Sequence, residues 1–448
     1  MTERHGCALL AAIVALIVGL SAAIYIGVAA APGRTTTGAR ALTEADAPHD
    51  PAAPAPASTG VWVGAWSASP AGAEPGTESE GMAGRSVRNV VHAGVGGTSA
   101  RITLSNLYGR SALTLTHASI AVAAASETPA ANAPTMRRLT FAGATAVVIP
   151  PGRQVLSDAV RVLIPQGGDV LVTTYSPTPS GPVTYHANAR QISYVAQGDL
   201  TEDTTGAGYT ERTPYWRYLT ALDVLSDDSA GTVVALGDSI TDGITSTRGA
   251  NHRWTDILSD RLRSAVAAGR NVPRYSVVNE GISGNRILAN GLGRPADNQA
   301  GLVRFSRDAL SHPNVRVVVI ALGVNDILHS PEPADPDRIL AGLRTMTDEA
   351  HSHGVKVIGA TLTPFQGHGG CTAAREAVRQ RINAEIRSGR VYDAVVDFDK
   401  ALRDRYNPRR LRSDYDSGDH LHPGDRGYAR MGSAFDLNLL KGSAPARL

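Results

Sequence analysis

From Ala8 to Ala30 the chain carries no charged residue, and this uncharged apolar run is long enough, as a helix, to span a hydrocarbon core. Two readings fit it. One is a secretory signal peptide over residues 1–31, with the small residues Val28 and Ala30 before a cut. The other is an uncleaved signal anchor in contact with the membrane. The flanking charges do not separate them, since Glu3 offsets Arg4, and Arg34 and Arg40 lie beyond the run. Either reading places the remainder of the chain outside the cytoplasm, secreted or held at the outer face of the cell membrane. Residues 32–60, rich in Pro and Ala, then read as a semi-extended linker.

Between residues 61 and 215 the apolar positions alternate. Ile102 and Leu104, Leu113 and Leu115, Ile120 and Val122, Val160 and Val162, and Val170 and Val172 each share a face of a strand. Glycine- and proline-rich turns separate them, at 95–97, 150–152, 166–168 and 180–182. Short strands at this spacing predict an all-β accessory domain, a sandwich or jelly roll. Trp62, Trp66 and Trp216 can either stack on sugar rings or pack the domain and its seam; packing is the plainer reading. His92, His117 and His186 are scattered and have no metal-ligand spacing.

The pattern changes over residues 229–442. Apolar runs at Thr232–Leu236, Ser276–Asn279, Arg316–Leu322, Lys356–Leu362 and Val395–Phe398 alternate with helical periodicity. Trp254, Ile257, Leu258, Leu262 and Val266 form one such helical stripe, and others lie near 298–311, 336–352 and 372–388. Asp335 before Pro336 is a helix start. Alternating strands and helices predict an α/β fold with a parallel sheet covered on both faces. In such sheets ligands bind beyond the carboxyl ends of the strands.

The residues at those ends carry chemistry. The first strand runs into Gly237-Asp238-Ser239, the second into a turn containing Gly284, the third into Gly323-Val324-Asn325-Asp326, and the last loop holds Asp419 and His422. A serine needs a base to become nucleophilic, and His422 can supply it. Asp419, three residues earlier, can orient the imidazole. The backbone N–H groups of Ser239 and Gly284 and the side-chain amide of Asn325 can donate to an oxyanion.

These blocks, GDSITDG, NEGISGN, GVND and DHLHP, resemble those of the SGNH hydrolases, the GDSL-type esterases and lipases. The resemblance covers roughly half the chain. It implies a flavodoxin-like three-layer α/β/α fold and serine-type ester hydrolysis with no metal or other cofactor. It also fits a secreted, two-domain bacterial type. No GxSxG elbow occurs in the sequence.

Other residues compete for roles. Asp238 and Asp326 read as anchors of loop hydrogen bonds. Asp242 fits a turn or helix cap as well as a polar substrate contact. His420 is the rival base, and Asp414 and Asp416 are weaker rivals of Asp419. The pair His351 and His353 suits a helix end better than a metal. His368 and Cys371 follow a strand and are candidates to line the cleft. The basic run Arg403, Arg405, Arg409, Arg410 and Arg412 reads as solvated and paired with nearby aspartates.

Composition narrows the classes. The 448 residues are 42% hydrophobic and 19% charged, which excludes wholesale disorder. A net charge of +2 gives no nucleic-acid-binding surface. Two cysteines, Cys7 and Cys371, exclude a disulfide framework and a cysteine-based zinc cluster, and leave Cys371 a free, inert thiol. The expected activity is hydrolysis of carboxylic esters through an acyl-enzyme, on short acyl groups of carbohydrates or small esters. A lipid esterase, an acyltransferase and a surface glycan-binding protein are the alternatives.

Overall fold

A computed structural model describes residues 60–291, 298–330 and 334–444. The leader and almost all of the linker lie outside the described residues. Among the described residues no helix is long and apolar enough to cross a membrane.

The first half is built from antiparallel sheets. Its main strands are β1 (Val61–Ser67), β2 (Arg85–His92), β3 (Gly97–Ser105), β4 (His117–Val122), β5 (Val160–Ile164), β6 (Asp169–Ser176), β7 (Ser193–Gln197) and β8 (Leu219–Ser226). One sheet runs β1–β8–β3–β5 and the other contains β7–β2–β6–β4 in that order. Alternation explains how they pack: Val63, Ile102, Leu104 and Leu222 from the first sheet share a core with Val91, Ile120, Val170 and Val172 from the second. Strand β8 sits beyond residue 215, between β1 and β3, so the antiparallel region continues to Ser226.

The second sheet is also buried on its other face, where Val90, Ala121, Leu171, Tyr194 and Tyr209 form a further cluster. Arg88 lies in that layer with no exposed surface, its guanidinium 4.0 Å from the Tyr209 ring centroid. A strand covered on both faces loses its polar alternation, which is why β2 is not legible as a strand in the sequence.

The second half holds five parallel strands: β9 (Gly231–Gly237), β10 (Tyr275–Gly281), β11 (Val315–Ala321), β12 (Lys356–Ala360) and β13 (Ala394–Val396). Their order is β10–β9–β11–β12–β13, so the chain reverses direction across the sheet between β10 and β11. The helices used below are α1 (Ser239–Asp242), α2 (Trp254–Ala267), α3 (Val324–Leu328), α4 (Pro336–Ser352), α5 (Ala373–Arg387) and α6 (Asp425–Ala434).

Successive strand residues point to opposite faces. Val234, Leu236, Val318 and Ile320 pack under Ile339, Leu343 and Met346 of α4 and Ile382 and Ile386 of α5. Val233, Ala235, Val317 and Val319 pack under Trp254, Leu258 and Leu262 of α2 and Tyr428 and Met431 of α6. Helix α4 starts as expected, with the Asp337 N–H donating to the Asp335 carboxylate at 2.9 Å. The stretch near 298–311 is shorter than its periodicity suggests: an α-helix over Gly301–Phe305 widens into a π turn over Ser306–Leu310.

The described residues form one compact unit. Strand β1 meets β9 and β10: the Gly64 N–H donates to Thr232 Oγ1 of β9 at 3.1 Å, and Asn314, just before β11, donates from Nδ2 to the Trp62 carbonyl at 2.9 Å. Trp66 and Trp216 are buried, ring against ring at 4.7 Å, with the Trp216 indole N–H donating to the Val90 carbonyl. These two rings pack the protein and present no face to a sugar.

Candidate active site

The site lies where β9, β10 and β11 end. Helix α1 begins immediately after β9 because Asp238 caps it, accepting from the Ile240 N–H at 3.0 Å. It ends within one turn at Gly243, whose φ of +91° closes the helix. Ser239 thereby stands at the first helical position. The close approach of β10 depends on Gly281, where a Cβ would collide with the Asp242 backbone nitrogen.

Three of the expected residues form one hydrogen-bonded chain. His422 Nε2 lies 2.8 Å from Ser239 Oγ, and His422 Nδ1 lies 2.6 Å from Asp419 Oδ2. The spacing of Asp419 and His422 has a local cause. Asp419 Oδ1 accepts from the backbone N–H groups of Leu421 and His422, so the carboxylate folds its own loop and then holds the ring. Burial alone would raise the Asp419 pKa, but the His422 ring and these two N–H groups hold it well below the usual carboxylate range.

Asn325 bonds to Asn285, the residue that follows Gly284. Gly284 has a φ of +76°, so its left-handed turn, not only access to a substrate, calls for glycine. Asn325 on α3 donates from Nδ2 to the Asn285 carbonyl at 3.0 Å. Asp326 accepts from the Ile287 and Leu288 N–H groups at 2.8 and 3.0 Å, which ties α3 to the loop after β10. Asp238 and Asp326 thus hold loops, as their positions suggest.

The rival residues are turned elsewhere. His420 Nδ1 pairs with Asp416 Oδ2 at 2.6 Å, its side chain half exposed, and does not reach Ser239. Asp414 pairs with Arg412 and Arg426. His351 sits 3.0 Å from the Asp393 carboxylate, and His353 bonds back to the Glu349 carbonyl. Of the basic run, Arg403, Arg410 and Arg412 are paired with Asp399, Asp404 and Asp414, and Arg405 lies over the Tyr406 ring. His368 is half-buried, its neutral form favoured by burial, with Asp419, His422 and His420 within electrostatic reach. The Cys371 thiol, a free cysteine raised by burial, packs against the core under α4 and α5.

Asp242 is neither exposed to substrate nor a simple cap. It is buried, and it accepts from Ser283 N at 3.1 Å and Ser283 Oγ at 2.6 Å. Its other partners come from the antiparallel region: His186 Nε2 at 3.0 Å and Asn188 Nδ2 at 3.3 Å. Arg304 has no exposed surface and braces the same loops. It donates to the Gly237 carbonyl at 2.9 Å, to Asn285 Oδ1 at 3.0 Å, and to Ser69 Oγ at 2.9 Å. His186, Asn188, Ser69 and Arg304 escape a reading of the sequence. Apart from Asp308, four residues after Arg304, their partners lie tens to hundreds of residues away.

A parallel sheet between helices carrying a Ser–His–Asp chain beyond the carboxyl ends of its strands defines the class, a serine hydrolase. Residues 235–430 match the GDSL-like Lipase/Acylhydrolase family, and this match supports a carboxylic ester hydrolase. No curated protein matches the sequence. Among solved structures the chain is similar to a GDSL-like lipase from Bacteroides thetaiotaomicron, at 20% identity over 45% of this chain and 84% of that one, TM-score 0.32. It is similar to an acetyl xylan esterase, AlAXEase, at 20% identity over 45% and 96%, TM-score 0.35. It is also similar to Est24, a carbohydrate acetylesterase from Sinorhizobium meliloti, at 16% identity over 46% and 96%, TM-score 0.36.

Proposed function

We propose that the protein is an exported serine esterase that removes short acyl groups from carbohydrates or small alcohols. The observation that carries the mechanism is His422 bridging Ser239 Oγ at 2.8 Å and Asp419 at 2.6 Å. Ser239 Oγ attacks the ester carbonyl carbon and its proton passes to His422 Nε2. Asp419 holds the ring and stabilises the imidazolium. Charge on the carbonyl oxygen is met by the N–H groups of Ser239 and Gly284 and by the Asn325 amide. Each such donor is worth about 10²–10³ in rate. His422 then protonates the leaving alcohol, and water activated by the same ring releases the acid.

A polar alcohol is supported by the polar residues around His422: Asp419 and His420 have substantially exposed side chains, and His368 lies near both. Export is supported by the uncharged run Ala8–Ala30.

The test is hydrolysis of p-nitrophenyl esters from acetate to palmitate, beside Ser239→Ala. The expected outcome is a rate that is highest at acetate, falls with chain length, and drops by about 10³-fold or more in the variant. A maximum at long chains would move the assignment to a lipid esterase. Full activity of Ser239→Ala would remove the mechanism.

A further inference from the structure

The antiparallel region does more than cover the hydrolase sheet. His186 belongs to the short strand Thr184–His186, and its side chain is buried against Trp216 and Asp242. Its Nδ1 lies 2.9 Å from the Ser69 carbonyl oxygen and its Nε2 lies 3.0 Å from Asp242 Oδ1. A carbonyl only accepts, so Nδ1 donates to Ser69, and although burial disfavours charge on the ring, the Asp242 carboxylate at Nε2 favours the imidazolium. The pair is closed from solvent, with 5% and 2% of the two side chains exposed.

The other Asp242 oxygen receives Ser283 N, Ser283 Oγ and Asn188 Nδ2, and Asn188 Nδ2 also reaches Ser283 Oγ at 3.0 Å. Ser283 immediately precedes Gly284. Asp242 is the last residue of α1, which begins with Ser239. A single carboxylate therefore joins the helix of the attacking serine to the loop of an oxyanion donor, and a histidine from outside the hydrolase sheet holds that carboxylate in place.

We propose that His186 is a positioning residue for ester hydrolysis, fixing Asp242 so that the Gly284 loop keeps its register on the Ser239 helix. The proposal rests on the assignment of Ser239 and Gly284 above. An oxyanion donor acts through small displacements, so its loss of register is felt in the transition state more than in substrate binding.

The test compares the full chain with His186→Leu, His186→Gln and Ser283→Ala on p-nitrophenyl acetate. The rate of Ser239 labelling by a fluorophosphonate and the far-ultraviolet circular dichroism are followed in parallel. His186→Leu should lower kcat about 10- to 100-fold with KM within about twofold and slow labelling alike. His186→Gln, which keeps an N–H donor toward Asp242, should recover most of the loss. If His186→Leu does not fold, Ser283→Ala carries the test from the other side, with an expected loss of about 10-fold in kcat. A folded His186→Leu, or a folded Ser283→Ala in its place, with kcat within twofold of the parent would overturn the role. An inactive parent, or an active Ser239→Ala, would instead overturn the assignment on which the role rests, and the role with it.

Discussion

Asp238 and Asp419 are two carboxyls of one site with opposite electrostatic fates. Asp419 is drawn low by the ring and N–H groups it accepts from. Asp238 has lost its water, and burial pushes its pKa from 3.8 up to about 7, against the pull of the Ile240 N–H and of His422. Between those two values the folded chain keeps a proton that the unfolded chain has released. Stability should therefore fall as pH rises from about 4 to about 7, and the cost of roughly 4 kcal/mol is complete above that window. Asp238→Asn keeps an N-cap acceptor for Ile240 and cannot ionise. Its melting temperature relative to the parent should climb across this pH window and level off above it. A difference that is flat with pH would contradict the buried titration. This residue is legible in part from the sequence: a Gly-Asp-Ser turn after a strand marks an anchor of loop hydrogen bonds, but only the structure shows it capping a helix and only burial sets the charge.

At the scale of elements, the helix Gly301–Phe305 looks like a minor connection, yet it carries Arg304 into the centre of the protein. Besides the bonds to Gly237, Asn285 and Ser69, this guanidinium bonds the Glu280 carbonyl at 2.8 Å and pairs with Asp308 at 3.2 Å. Glu280, at the end of β10, receives Ser69 Oγ at 2.5 Å and His312 Nε2 at 2.8 Å. Several loops thus converge on one planar fork. An ammonium cannot serve all of these acceptors, so lysine is no substitute. Arg304→Met should cost about 3–5 kcal/mol in urea unfolding, because buried carboxylate and carbonyl groups lose their partner. Arg304→Lys should recover less than half of it. Recovery to the parent value would show that charge alone matters there.

At the scale of the whole molecule, the two halves share more than a border. Strand β1 lies against β10, Trp66 and Trp216 meet edge to face in the buried interior, the buried His186–Asp242 ion pair joins the two regions, and hydrogen bonds run from Ser69 to Glu280 and Arg304 and from Asn188 to Ser283. Separating the halves would break the His186–Asp242 pair and the Ser69 and Asn188 hydrogen bonds and uncover the apolar surface around Trp66 and Trp216. Thermal unfolding should therefore be one cooperative transition, with far- and near-ultraviolet circular dichroism melting together. Two resolved transitions would show that the halves are energetically independent. The sequence alone determined the elements whose periodicity is local: the alternating β3 and β6, the helical stripe of α2, and the Asp335-Pro336 start of α4. It also determined the four blocks of the site, because the first three sit at or just after strand ends and the loop of Asp419 and His422 is closed by bonds to its own backbone. Tertiary structure alone decided that Asp242 is a brace, that His420 turns to Asp416, and that Arg88, His186 and Arg304 are buried. The physical reason is that a buried polar side chain is chosen by partners far away in the chain, and its energy depends on exclusion of water, which no local pattern records.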